Sequence, residues 1–331
     1  MLAPRDIKFG IFVPQGWRMD LVDVKDPVEK YETMTRCAQE AEKAGFDAVF
    51  VYDHFHTVPD PRIETTFEAW TSMAGLARDT QTIRLGQMVT CNSYRPPSLL
   101  AKIASCVDVM SKGRLILGIG AGWYDQEYRA YGYEYPETPE RLRMLREALQ
   151  VVKAMWTQEE ALFEGRHYQV RGAVSEPKPV QKPHPPIWIG GGGEKVTLKL
   201  VAQYGDACNL RADLDTVRHK LDVLREHCQT VGRDYDSVLK TLEFYAIVGD
   251  RREVDRVARD TARRIGRDEE FVRSEWHEHS GDADRIAETI RDYAEAGIDY
   301  FIVNVPNAFE GGVIARFAEE VFPRVGLRVP S

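Results

Sequence analysis

Short apolar runs alternate with longer amphipathic stretches along almost the whole chain. The runs at 7–13, 46–52, 83–90, 114–119, 187–189, 206–210, 239–248 and 300–305 are rich in β-branched and aromatic residues, which predicts strands. Helical spacing of apolar positions at 28–44, 66–78, 99–110, 141–156 and 313–322 predicts helices, and helical periodicity also follows the runs at 187–189, 206–210 and 239–248. Gly45 directly after 28–44 supplies a C-terminal stop. Strands that are almost continuously apolar have to be covered on both faces, and their alternation with helices predicts a parallel sheet under helices. Eight such units with no linker between halves predict an α/β fold: one closed (β/α)8 TIM barrel over residues 1–331, rather than two Rossmann domains. A barrel core takes about 250 residues. The surplus is expected as insertions near 132–139, 162–186 and 252–282, the last so charged that solvated helices are its default reading.

Composition narrows the class. The 331 residues are 43% hydrophobic and 29% charged, the balance of a globular protein with a sizeable core. Net charge is −8 with no basic tract, which argues against nucleic acid as a partner. No apolar run approaches the ~20 residues of a membrane span, and the N-terminus lacks a signal peptide's apolar core. The five cysteines are scattered and form no Cys-x-x-Cys pair, so neither a disulfide framework nor a zinc knuckle is expected. A cytoplasmic protein acting on a small molecule fits these features.

In a barrel of this kind the active site gathers where strands end and loops begin. The strand at 187–189 runs into Gly190, Gly191, Gly192 and Gly193 and then into a helical pattern over 195–203. Glycines let backbone N–H groups crowd around an anion, and a helix N-terminus adds free donors. The stretch reads as a phosphate cradle; a flexible turn is the alternative, and it needs fewer glycines. His54, at the end of the second strand beside Asp53, is the acid/base candidate, because histidine titrates near neutrality. A capping histidine is the other reading. His54 and His56 also spell a metal motif, but the other histidines do not fall at the ends of later strands, so no metal is expected. Gly118-x-Gly120-x-Gly122 is a weak dinucleotide fingerprint without a closing acidic residue; backbone thinned for a flat ring is the better reading. Trp123 either lines a substrate pocket or packs on the rim. Arg95 is either a surface charge or an anion holder. Cys91 and Cys208 read as packing residues, with no positive neighbour to activate them.

The segments FGIFVPQGW (9–17), GFDAVFVYDHF (45–55), IRLGQMVTCNSYRPPSLLAK (83–102), SKGRLILGIGAGWYDQEYRAYG (111–132) and PPIWIGGGGEKVTLKLVAQYGDACN (185–209) resemble the bacterial luciferase-like superfamily. Within it they resemble the branch of reductases and dehydrogenases that use the deazaflavin coenzyme F420. The resemblance implies that His54 stands near the reactive carbon of the ring and that a non-prolyl cis peptide at about Met88–Val89 backs it. It implies a cofactor-binding set of Asp53, Met88, Val89, Thr90, Ala121, Gly190, Gly191, Gly192, Gly193 and Asn209. It also implies a homodimer. The sugar-phosphate dehydrogenases of that branch carry a glutamate where this chain has Trp123. That departure puts sugar-phosphate oxidation in doubt and makes Glu127, one helical turn on, the substitute acid. Trp123 and Arg95 are then expected to line the substrate pocket. A reduced-FMN monooxygenase on the same fold is the alternative.

Overall fold

The computed structural model describes residues 7–276 and 279–327. Its strands and helices run β1 (Lys8–Phe12), α1 (Pro27–Ala44), β2 (Ala48–Val51), α2 (Ala69–Asp79), β3 (Arg84–Gln87), β4 (Thr90–Cys91), α3 (Pro97–Met110) and β5 (Leu115–Gly120). There follow α4 (Asp125–Ala130), α5 (Thr138–Thr157), β6 (Glu160–Glu164), β7 (Gln169–Val174), β8 (Ile187–Gly190), α6 (Thr197–Tyr204), β9 (Ala207–Leu210) and α7 (Leu214–Val231). The last are β10 (Leu239–Tyr245), α8 (Arg251–Ile265), α9 (Glu269–Trp276), α10 (Ala283–Ala296), β11 (Tyr300–Asn304) and α11 (Val313–Val321).

The main sheet has the order β3-β2-β1-β11-β10-β9-β8-β5-β4, and β3 also pairs with β5. With β3 and β4 counted as one interrupted strand, this is the parallel (β/α)8 barrel that the alternating pattern predicts. The strand expected at 83–90 is broken at Met88–Val89, a cis non-prolyl peptide. The insertion expected near 162–186 carries the antiparallel pair β6–β7, which begins slightly earlier, at Glu160.

The chain forms two compact units that alternate along the sequence. Of the described residues, the first comprises 7–67, Leu210–His219, 239–276 and 279–327. In it β1 lies between β2 and β11, and β11 continues to β10, all parallel. Phe9 stacks on Phe322 at 4.8 Å and on Phe301 at 5.7 Å, and Phe46 meets Phe322 edge-on, so aromatic packing joins this sheet to the final helical segment. Helix α1 begins at Asp26, whose carboxylate accepts from the N–H groups of Val28 and Glu29, and ends at Gly45 in the left-handed conformation, as its sequence predicts. The charged block at 252–282 departs from its default reading. Helix α8 buries Val257, Ala258, Thr261, Ala262 and Ile265 along one stripe. That stripe packs with Met19, Tyr245 and Val272, so a narrow apolar face docks a helix that is otherwise ion-paired.

The second unit comprises Glu68–Asn209 and Lys220–Val238. There β5 pairs with β3, β4 and β8, and β8 with β9. A Cβ on Gly118 would stand 1.7 Å from the Gln87 carbonyl oxygen, so only glycine permits β5 to approach β3 this closely. The segment before β8 is tied down by Asp108, which accepts from the Val180 N–H, the Gln181 N–H and the Gln181 side-chain amide.

Candidate active site

In the first unit the ends of β1 and β2 build an aromatic stack around His54. The fully buried Gln15 side chain donates to the carbonyls of Tyr52 (2.8 Å) and Phe67 (2.6 Å) and accepts from the Tyr52 N–H. Asp20 takes the N–H groups of Gln15 and Gly16, which folds 15–20 into a turn and presents Trp17. Burial pushes the Asp20 carboxyl above its ordinary value, against the pull of those N–H bonds. Tyr52 lies between Phe12 and Trp17, each at 4.1 Å, and Trp17 stacks on His54 at 5.2 Å with the rings 8° from parallel. The Tyr52 hydroxyl donates to Glu243 (2.9 Å) and accepts from Asn304 (3.1 Å). Burial foremost, and then the Glu243 carboxylate, raise its pKa, so it stays a neutral donor. Asp53 and His54 are both buried, at 4% and 7% exposure, so His54 is held by packing rather than left free at the surface.

In the second unit the glycines that end β5 and β8 enclose Val89. A Cβ on Gly120 would lie 2.7 Å from one Val89 methyl, and a Cβ on Gly190 would lie 2.6 Å from the other. A Cβ on Gly122 would strike the Tyr128 hydroxyl and the Cys91 thiol. The thinned backbone expected to admit a flat ring is therefore filled by the chain's own Gln87, Val89 and Tyr128. Cys91 is buried with its thiol 2.9 Å from the Tyr128 hydroxyl, consistent with a packing role. Thr90 accepts from the Trp70 indole N–H at 3.2 Å. Ala121 lies just past β5, with its carbonyl 3.5 Å from the Tyr128 hydroxyl.

The glycine loop leads into α6 with open N–H donors. Helix α6 starts at Thr197, slightly later than its sequence suggests, and no side chain caps its first turn. Among the described residues, no protein acceptor takes the N–H of Gly192 or Gly193. Asn209 sits beside the loop, paired in register with Gly190, and its carbonyl accepts from the Gly191 N–H. Lys220, from α7, brings its ammonium to the Gly192 carbonyl at 2.6 Å and to Glu194 at 3.5 Å. Uncapped N–H donors, a helix N-terminus and a nearby cation fit a phosphate group.

Glu127, Arg95 and Trp123 each have contacts within the protein. Glu127 is fully buried and accepts the Tyr94 hydroxyl at 2.5 Å, so its carboxylate is engaged inside the fold. Burial foremost, with the nearby acidic groups, drives the Tyr94 pKa far upward. Arg95 does hold an anion, but it is the chain's own Glu68, which also caps α2 by accepting from the Thr71 N–H. Trp123 is 62% exposed and tilts against Tyr124. Sequence reasoning missed Gln15, Trp17, Tyr52, Glu243 and Lys220. The first three stand in or beside the quoted segments, where spacing shows a strand end but no partner. Lys220 lies inside an ordinary amphipathic helix and carries no local signal.

The model of the luciferase-like monooxygenase family matches residues 7–298. An uncharacterized protein of Mycobacterium tuberculosis, Rv0953c, is 32% identical over 219 residues, 61% of this chain and 76% of its own. An F420-dependent glucose-6-phosphate dehydrogenase of Amycolatopsis mediterranei is 27% identical over 321 residues, 87% of this chain and 92% of its own. Among solved structures, an F420-dependent secondary alcohol dehydrogenase in complex with an F420-acetone adduct superposes with a TM-score of 0.79 at 23% identity, covering 97% of this chain and 99% of its own. A long-chain alkane monooxygenase reaches 0.80 at 17% identity, covering 98% and 93%. No helix among the described residues is long and apolar enough to cross a membrane. With most of its length matched by the family model and its strands in the barrel order, this chain belongs to the luciferase-like monooxygenase family.

Proposed function

We propose that the protein is an F420-dependent oxidoreductase that transfers hydride between the deazaflavin and a small organic substrate. The observation that carries this is the uncapped glycine loop before α6 with Lys220 beside it, a cradle for the phosphate of a cofactor tail. The F420-dependent relatives that align over most of the chain favour deazaflavin over flavin. When bound, the deazaflavin supplies a carbon-centred hydride donor and acceptor that activates dioxygen poorly.

The chain's own residues do the rest. Gly190 to Gly193 and Lys220 hold the phosphate, and Asn209 holds the tail beside it. Asp53, Met88, Val89, Thr90 and Ala121 are assigned to the ring and its surroundings. His54, fixed against Trp17, holds or accepts the proton that accompanies substrate reduction or oxidation at its imidazole nitrogen. Glu127, engaged by Tyr94, positions its own loop rather than acting as the acid. Trp123, exposed where sugar-phosphate dehydrogenases carry an acid, faces substrate.

The test is a titration of the purified protein with F420 and, separately, with reduced FMN. Tight F420 binding with negligible flavin binding supports the reading. The reverse result replaces it with a reduced-flavin monooxygenase. His54→Ala should then bind F420 as before and lose roughly a hundredfold or more in turnover; full turnover in that variant removes the proton role.

A further inference from the structure

A second feature of the first unit is a narrow cleft beside Trp17 that opens to solvent. Five aromatic side chains, Phe12, Trp17, Tyr245, Phe271 and Phe309, line it, and a second guanidinium, Arg18, lies over the Trp17 and Tyr245 rings. Trp17 is also the ring against which His54 stacks, so the cleft shares a wall with the acid/base candidate. Into this aromatic space α8 places Arg264.

The guanidinium of Arg264 is poorly served by the protein. It donates to Thr261 on its own helix at 3.0 Å and lies 4.6 Å from the centre of the Phe309 ring. Its Nε is buried with no acceptor. Among the described residues no carboxylate comes within ion-pair distance of it. Burial works against its charge, while Asp20, Asp23, Asp260 and Glu310 favour it only from farther away. Several of those carboxylates are already engaged. Asp20 takes two backbone N–H groups, Glu310 receives both Nη groups of Arg256, and Asp260 pairs with Arg263. A buried donor left without an acceptor is costly, and a planar guanidinium matches a carboxylate with two parallel bonds.

We propose that this cleft binds an organic monocarboxylate with a flat apolar body, and that Arg264 receives its carboxylate. A phosphate dianion carries more charge into this largely aromatic lining than a monocarboxylate does, and its desolvation costs more. Calling this ligand the substrate rests on the hydride-transfer reading above; its binding does not.

The experiment is calorimetry on the full chain, with and without F420, using trans-cinnamate, its neutral amide and phenyl phosphate as probes. Cinnamate should bind saturably and roughly tenfold or more tighter than cinnamamide, the discrimination of a charge-assisted pair. Arg264→Gln should erase that preference, and Arg264→Lys should keep part of it. Equal binding of acid and amide, no binding of cinnamate, or a preference for phenyl phosphate each overturns the proposal. The acid-against-amide comparison needs no variant, so a poorly folding Arg264→Gln does not blunt it. Cinnamate selection without F420 binding would spare the cleft and sink the hydride-transfer reading; F420 binding without cinnamate selection would do the reverse.

Discussion

The indole of Trp17 lies nearly parallel to the imidazole of His54, 5.2 Å away and 8° from coplanar in orientation. Trp17 itself packs on Tyr52 and is held by the turn that Asp20 ties. Small displacements of a catalytic group are expensive, on the order of a hundredfold for about 1 Å. Trp17→Leu should therefore lower kcat by roughly ten- to a hundredfold while leaving F420 affinity within a few-fold. Trp17→Phe keeps a stacking face and should retain most activity. Steady-state kinetics and cofactor titration on both variants check this, and a Trp17→Leu enzyme with unchanged kcat would show that the stack does not orient His54.

Val89 occupies the space that Gly120 and Gly190 leave open. A methyl added at either glycine overlaps a Val89 methyl, and overpacking of this kind costs about 1–3 kcal/mol. Gly120→Ala and Gly190→Ala should each be destabilised by that amount in urea unfolding. Because the conflict is with one side chain, Val89→Ala should relieve it. A double-mutant cycle for Gly190 and Val89 should then show a favourable coupling of about 1 kcal/mol. Strict additivity would mean that the backbone yields and that Val89 is not what the glycines accommodate.

Much of the barrel is legible in the sequence because each of its strands is an apolar run long enough to stand out from the helices around it. The Gly45 stop is a local signal and appears where composition puts it. The docking of α8 is harder to read. Its buried stripe is only a few small residues wide within a strongly charged helix, so mean polarity masks it. At the site, His54 and the glycine loop are visible because strand ends and glycines have intrinsic meaning. Gly118 to Gly122 mislead for the same reason: glycine marks a close approach without saying what approaches, and here it is the chain itself. The partner of Arg95 lies 27 residues away in sequence, and that of Tyr52 lies 191 away, distances over which pattern carries no information.

Lys220 stands beside the Gly192 carbonyl and the Glu194 carboxylate, next to N–H groups that have no protein acceptor. If a phosphate occupies the cradle, the ammonium stands beside it. Lys220→Ala should weaken F420 binding by roughly tenfold, the worth of one charge-assisted contact. The loss should be largest at low ionic strength and shrink with added salt. A deazaflavin lacking the phosphate should bind the variant and the parent equally. Equal loss for both ligands would assign Lys220 to loop structure instead.

Glu68 joins two functions that acid should remove together. It caps α2 through the Thr71 N–H at 2.7 Å and pairs with Arg95, whose side chain is 11% exposed. Burial alone would raise its carboxyl, but the Thr71 bond and the Arg95 charge outweigh that and hold it below the ordinary value of about 4.3. A depressed folded pKa means that the stabilisation is complete above the unfolded value and is lost as pH falls through the folded one. Glu68→Gln keeps an oxygen for the Thr71 N–H and removes only the charge. It should cost about 1–2 kcal/mol at neutral pH, a figure reduced by solvent because the Glu68 side chain is 32% exposed. The gap between the two proteins should stay constant down to about pH 5 and narrow below about pH 4, as the parent's own carboxylate takes its proton. Urea unfolding across that range reads the gap directly. A gap that persists unchanged into acid would mean that Arg95 is held by packing and that the Glu68 charge contributes nothing.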